Sequence, residues 1–227
     1  MAKKKWSPKT KLSYVMTLLS QFTRHGISLV GDKKGMIRLF KLEALKHAPT
    51  RVNPIPLQQL IGRLRQTKEM DIEAMITLMW AYAARLTSIH QIRQTNMEFK
   101  QMDSRTTAVC TTFRAGKTIL ATGAYSITAR IPTRIANWLL AQPATVFPQT
   151  VGYYYDKVRR ILRPYTIRSI RRGAVQHLAK EFDNEQIRLI TRHTKAAGLY
   201  AYLDDGRHET HEQETSLQMS SRLWTST

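Results

Sequence analysis

Apolar residues recur at helical spacing along most of this chain and at strand spacing in one central stretch. From Lys9 to Arg24, Leu12, Val15, Met16, Leu19 and Phe22 share one face, with Ser7-Pro8 as a start signal and Gly26 as a stop. After the turn Gly31-Asp32-Lys33-Lys34-Gly35, a second helix is predicted from Met36 to His47, ended by Pro49. Val52-Asn53-Pro54-Ile55-Pro56 reads as an extended linker, because two prolines disfavour helix. Helices follow from Pro56 to Gln66 and from Lys68 to Arg85. The second is apolar enough (Met75, Ile76, Leu78, Met79, Trp80) to be a core helix, and it is expected to run directly into Arg85. Between Met97 and Pro132 the texture changes. Thr106 to Phe113 and Tyr125 to Ile131 are rich in β-branched and aromatic residues and read as strands joined through Arg114 to Ala124. Helical patterning returns over Thr133–Leu140, and Pro143 and Pro148 bound a loop. Val151–Leu162, Ile170–Phe182, Asn184–Arg192 and Ala196–Leu203 read as further helices, with one more around Gln213–Leu223. The predicted class is mainly α with a small antiparallel β-sheet, an α+β arrangement.

The proline-rich linker divides the chain into a short helical domain, 1–50, and a larger domain, 51–203, followed by a tail, 204–227. Hydrophobic residues make up 42% of 227, enough to bury a sizeable core. Charge sharpens the picture: 36 Lys and Arg against 16 Asp and Glu give a net +20. A polyanionic partner is expected, nucleic acid before an anionic membrane. Leu203 to Thr227 differs, with five acidic residues (Asp204, Asp205, Glu209, Glu212, Glu214) against Arg207 and Arg222, so the rest of the chain carries +23. No run is long and apolar enough to span a bilayer. Met1 to Lys5 is basic but leads into Trp6-Ser7-Pro8, which is not a secretory signal. Cys110 is the only cysteine, which rules out an internal disulfide and a thiolate metal cluster and fits a reducing compartment.

Several residues are candidates for chemistry, each beside a plainer reading. Arg85 ends an apolar run, where an arginine either snorkels to water or is placed in a site. Lys117 sits in Gly116-Lys117-Thr118 between the strands, where lysines are usually solvated. This is not a nucleotide-binding P-loop, because the residue five before Gly116 is Thr111. Arg168, Arg171 and Arg172 begin or precede a helix, whose N-terminal N–H groups favour a phosphate; the alternative is a generic basic surface. His193 is otherwise a capping or surface histidine. Tyr202 has rivals in Tyr200, Tyr153, Tyr154 and Tyr155, and most tyrosines are packing residues.

Together these residues fall in a recognisable order. Ala84-Arg85-Leu86-Thr87-Ser88, then Lys117-Thr118, then Arg168-Ser169-Ile170-Arg171-Arg172-Gly173-Ala174, then Arg192-His193 with Tyr202 nine residues on, span about Pro54 to Leu203. This series resembles the catalytic domain of tyrosine recombinases, the phage-integrase-type family. Trp6 to His47 resembles a reduced helical core-binding domain, with Thr10, Tyr14, Leu18 and Phe22 on its face. Three positions depart from the family pattern: Arg168 stands where histidine is usual, Ser88 where an acidic residue is usual, and Arg192 where glycine precedes the histidine. An arginine at 168 can donate to phosphate but cannot accept a proton at neutral pH.

The resemblance implies a metal-free and ATP-free strand exchange that uses no cofactor. Tyr202 attacks the scissile phosphate to give a 3′-phosphotyrosyl bond and a free 5′-hydroxyl. Arg85 and Arg171 clamp the non-bridging oxygens, His193 adds a hydrogen bond, Lys117 protonates the departing oxygen, and Arg168 supplies charge. The implied partner is double-stranded DNA held mostly through its phosphates. Four protomers assemble on two duplexes, and the acidic tail, with Leu217, Met219, Leu223 and Trp224, docks on a neighbour; no membrane is involved. The branch it resembles is that of mobile-element recombinases, of the retrotransposon DIRS-like or VIPER type. That implies the nucleus in a eukaryote and otherwise the cytoplasm or nucleoid. A type IB topoisomerase-like enzyme that relaxes DNA shares the residue set. A catalytically inactive DNA-binding relic is the reading from a different class, kept open by Arg168 and Ser88. A basic membrane-surface or RNA-binding protein is the third reading, and the residue series speaks against it.

Overall fold

The computed structural model describes residues 6–27, 35, 37–39, 41–42, 52–115, 119, 123–192, 199 and 202–203. The chain divides into two compact units, Met1–Arg51 and Val52–Thr227.

In the first unit, α1 spans Pro8–Arg24. Ser7 caps it, its Oγ accepting the Thr10 N–H at 3.2 Å, and Pro8 sits in the first turn, where its missing donor costs nothing. Leu12, Val15, Leu19 and Phe22 form a half-buried stripe, as their spacing predicts. Trp6 stacks on Tyr14 at 4.6 Å. Residues 35, 37–39 and 41–42 are helical; the rest of the helix predicted from Met36 to His47 lies outside the described residues.

The second unit is built around α3. After the irregular segment 52–56, α2 covers Leu57–Gln66 and α3 covers Met70–Ala81. Ile72, Ala74, Met75, Ile76, Leu78 and Met79 are all buried, so α3 has almost no polar face and its neighbours surround it. It stops at Tyr82, short of the predicted end. Ala83 takes a left-handed φ of 45°, and a short helix, α4 (Leu86–His90), starts afresh with Arg85 as its extended N-cap. Arg85 therefore sits at a break between helices and not at the end of a continuous one. The Arg85 carbonyl accepts from Ser88 and Ile89, which fixes its backbone.

Three antiparallel strands follow in the order β1 (Met97–Gln101), β2 (Thr106–Phe113), β3 (Tyr125–Pro132). Thr107, Val109, Thr111 and Phe113 of β2 alternate inward. The Tyr82 hydroxyl reaches this face, 3.0 Å from the Val109 carbonyl and 2.7 Å from Thr111 Oγ1. The sheet was expected from two strands, and β1 adds a third on the open edge of β2. Helices α5 (Thr133–Leu140), α6 (Val151–Leu162), α7 (Ile167–Leu178) and α8 (Asn184–Thr191) complete the unit. Arg134 of α5 forms an ion pair with the buried carboxylate of Glu73 on α3, one of its two contacts being 2.7 Å.

Helix α7 begins three residues before its predicted start and ends four before its predicted end. A capping box between Thr166 and Ser169 sets the start; Ser169 Oγ accepts the Thr166 N–H at 3.1 Å. Its middle presses on the chain at Ile55, whose N–H donates to the Ser169 carbonyl at 3.2 Å. Only glycine fits at 173. A Cβ there would overlap the Ile55 carbonyl oxygen and lie 2.9 Å from a Trp80 ring carbon. A second small core of Ala83, Ala174, Val175, Ala179, Ile187, Leu199 and Leu203 ties α7 and α8 to the chain around Tyr202. The helix predicted over Ala196–Leu203 is described at Leu199, which is helical, and at Tyr202, in a turn whose N–H donates to the Leu199 carbonyl at 2.8 Å. The helix predicted around Gln213–Leu223 lies outside the described residues.

Candidate active site

Four of the six residues singled out in the sequence line one cavity of about 270 Å³. Arg85, Arg168, Arg171 and Tyr202 share it with Met79, Ala84, Leu86, Thr87, Tyr155 and Ile167. Four segments meet here: the end of α3 with the break after it, Tyr155 of α6, the first two turns of α7, and the turn carrying Tyr202. No carboxylate is among the described residues lining the cavity. Lys117 and His193 lie outside the described residues.

The two α7 arginines differ in burial. Arg168 and Arg171 are three residues apart and share a face of the helix. Arg168, the second residue of α7, is exposed, as is Arg85. Arg171 is only 7% exposed, so it is not part of a generic solvated basic surface; Arg172 beside it is buried too. Arg171 Nη2 donates to the Thr191 carbonyl at 3.0 Å, at the end of α8. Its guanidinium carbon lies 5.1 Å from the centre of the Tyr202 ring. Burial pulls the pKa of Arg171 below its ordinary value; the charge of Arg85 pulls the same way, and the phenols of Tyr202 and Tyr125 oppose them. Tyr202 is held from behind as well, its carbonyl accepting from Gln176 Nε2 of α7 at 3.3 Å.

Two residues that the sequence did not single out as site residues stand beside this group. Tyr125 opens β3, and Arg192 caps α8, its guanidinium carbon 4.8 Å from the Tyr125 ring centre. Burial pushes the Tyr125 phenol upward, while the charges of Arg171, Arg192 and Arg85 all pull it down. A signal for Arg192 was present, since it stands where the resemblance has glycine; Tyr125 had none beyond its place at the head of a strand.

Chemically, the cavity concentrates positive charge against a phenol in a partly desolvated setting. Three guanidiniums lining a small cavity, with no carboxylate among its described lining, suit an anion with several oxygens, and their planar forks match phosphate.

Among solved structures the chain is similar to XerH site-specific recombinase bound to palindromic difH substrate in a post-cleavage complex. The match covers 98% of this chain and 73% of that one, with 12% identity and a TM-score of 0.51. The pre-cleavage complex of XerH with difH substrate matches at 11% identity and a TM-score of 0.52, covering 87% and 69% of the two chains. XerA recombinase matches at 14% identity and a TM-score of 0.50, covering 92% and 83%. The fold is that of a tyrosine recombinase catalytic domain. No family model and no curated protein matches the sequence. At these identities the likeness is one of fold.

Proposed function

We propose that this chain is a site-specific DNA recombinase that cuts and rejoins strands through a 3′-phosphotyrosine at Tyr202. The observation that carries this reading is the meeting of Arg85, Arg168, Arg171 and Tyr202 in one cavity whose described lining has no carboxylate. Planar guanidinium forks gathered around a phenol match the non-bridging oxygens of a phosphodiester.

In this mechanism the Tyr202 oxygen attacks the scissile phosphorus of duplex DNA and the 5′-oxygen departs, protonated by Lys117. Arg85 and Arg171 hold the two non-bridging oxygens, and each such donor contributes about 3 kcal/mol to lowering the barrier. Arg171 suits this role because its burial and its bond to Thr191 fix the fork before substrate arrives. His193 adds a hydrogen bond and Arg168 a charge at the rim. The covalent bond conserves the phosphodiester energy, so rejoining to another 5′-hydroxyl needs no ATP, and guanidiniums fill the electrostatic role a metal would otherwise have. Segment 1–50 acts as a reduced DNA-clamping domain. Segment 204–227 docks on a neighbouring protomer within a tetramer on two duplexes. A mobile element is the source this reading favours, of the DIRS-like or VIPER kind, with work in the nucleus if the host is eukaryotic. The net charge of +20 supports a phosphate-dominated interface with strong salt dependence.

The test is covalent trapping. The protein, in EDTA, is incubated with a pool of nicked duplexes that lose their 5′-hydroxyl fragment on cleavage, beside Tyr202→Phe. A protein–DNA adduct on a denaturing gel that vanishes in Tyr202→Phe is expected. Exchange between two duplexes then separates a recombinase from a DNA-relaxing enzyme. Tight, salt-sensitive binding with no adduct over the whole pool refutes catalysis and leaves a DNA-binding relic.

A further inference from the structure

Arg192 ends α8 in the left-handed conformation, with φ 55° and ψ 42°, and its N–H donates to the Arg188 carbonyl at 2.8 Å. Glycine favours this position because any Cβ crowds the following carbonyl. A long charged side chain is thus held at a place where the backbone resists it. Arg192 Nε is buried and bonds nothing among the described residues.

What the side chain does touch is Tyr125, with its guanidinium over the ring at 4.8 Å. Tyr125 rests on a rigid series. It stacks on Phe113 at 5.2 Å with 20° between planes; Phe113 meets Tyr82 edge-on at 5.6 Å; and the Tyr82 hydroxyl is bonded to the β2 backbone and to Thr111. A guanidinium held over a ring on such a support makes no hydrogen bond to it, which leaves its terminal N–H groups for another ligand. The neighbouring carbonyl, Thr191, is the one that holds Arg171. The same helix end therefore places both guanidiniums, Arg171 by a hydrogen bond and Arg192 by the chain itself.

We propose that Arg192, seated on the ring of Tyr125, is a further phosphate-contacting residue that donates to a non-bridging oxygen of the DNA phosphodiester cleaved at this site, with Tyr125 as its positioning residue. The inference rests on the function proposed above and deepens it. The ligand is a backbone phosphate, so the contact acts irrespective of base sequence.

The decisive variant is Arg192→Gly, because glycine relaxes the backbone while removing the donor. On the nicked duplexes trapped by wild-type protein, adduct formation is expected to slow by about 100-fold, the lower end of the cost of losing one transition-state donor, while Tm stays level or rises. Arg192→Lys keeps charge without the planar fork and falls between the two. Tyr125→Leu, which removes the ring under the guanidinium, slows as Arg192→Gly does. A duplex with a methylphosphonate at the scissile position supplies the readout that a merely structural role would not move. One diastereomer, lacking the charged oxygen that Arg192 meets, is cleaved by Arg192→Gly and wild type at similar rates. Arg192→Gly reacting at the full rate overturns the inference alone, and so does an equal penalty on charged and neutral phosphates. Wild-type protein that forms no adduct overturns both the inference and the function on which it rests.

Discussion

Gly173→Ala sets two effects of similar size against each other. Inside a helix alanine is favoured over glycine by about 1 kcal/mol, so propensity alone predicts a more stable protein. The structure predicts the reverse. The added Cβ overlaps the Ile55 carbonyl oxygen, with the Ile55 carbonyl carbon at 3.2 Å and a Trp80 ring carbon at 2.9 Å. Overpacking costs about 1–3 kcal/mol, and the upper end applies here because the obstacle is backbone, which cannot rotate away. The net expectation is a loss of about 2 kcal/mol, or about 4–8 °C in Tm for a unit of this size. The internal control is Gly62→Ala in α2, where a Cβ meets nothing within 4 Å; there only propensity acts, and Tm should rise. Thermal and denaturant unfolding of both variants beside wild type decide the matter. A Gly173→Ala protein as stable as wild type would refute the close approach of α7 to the 52–56 segment. Because Arg168 and Arg171 ride on α7, the function proposed above predicts weaker DNA binding for the same substitution.

Two further outcomes follow from buried polar groups. Burial pushes the Tyr82 phenol well above its ordinary value, so the contribution of its neutral form to stability is complete below about pH 10, the unfolded phenol pKa, and is lost as pH rises toward the higher folded value. Tyr82→Phe should cost about 1–2 kcal/mol at neutral pH, since Val109 and Thr111 lose a partner, yet show a shallower loss of stability above about pH 10; parallel alkaline slopes in urea unfolding would count against it. Arg134→Ala should cost about 1–2 kcal/mol, discounted because Arg134 is half in solvent, and adding Glu73→Gln should recover most of it in a double-mutant cycle.

Much of the fold was legible where caps and periodicity agreed. Thr133–Leu140 and Val151–Leu162 match their predicted limits, because prolines before them and a threonine cap at 150 mark their starts. The strand Thr106–Phe113 declared itself by β-branched alternation. The misjudged boundaries lie where local sequence carries no marker. Nothing in Tyr82-Ala83-Ala84 says that an alanine will adopt a positive φ, so α3 looked continuous up to Arg85. The capping box of α7 has serine at its third position where glutamate or glutamine is the usual signal, which hid the true start. Met97–Gln101 holds only two apolar residues, too few to announce an edge strand. Within the candidate site, Arg85, Arg168, Arg171 and Tyr202 were legible from their order along the chain, and their meeting in one cavity follows from packing that no local pattern encodes. The pairing of Tyr125 with Arg192 depends on where β3 and the end of α8 meet, which periodicity cannot give.

The two non-glycine residues with positive φ, among those described, both stand beside site arginines: Ala83 two residues before Arg85, and Arg192 next to the carbonyl that holds Arg171. Left-handed backbone costs each of them about 1–2 kcal/mol, and glycine would remove the cost. For Ala83 the reason to keep a side chain is packing. It is 1% exposed, and its methyl fills the small core with Ala174, Leu199 and Leu203, which offsets the strain at the break that turns Arg85 into the cavity. The same account fails for Arg192, which is only half-buried and contributes nothing to that core. Its ring contact with Tyr125 is worth about 0.5–1 kcal/mol, too little to offset the strain and the loss of side-chain freedom together. A residue that lowers the stability of the free protein while adding charge to a cluster of guanidiniums is better explained by what binds there. On the inference drawn above, that ligand is a phosphate, and its binding is what the strained arginine serves.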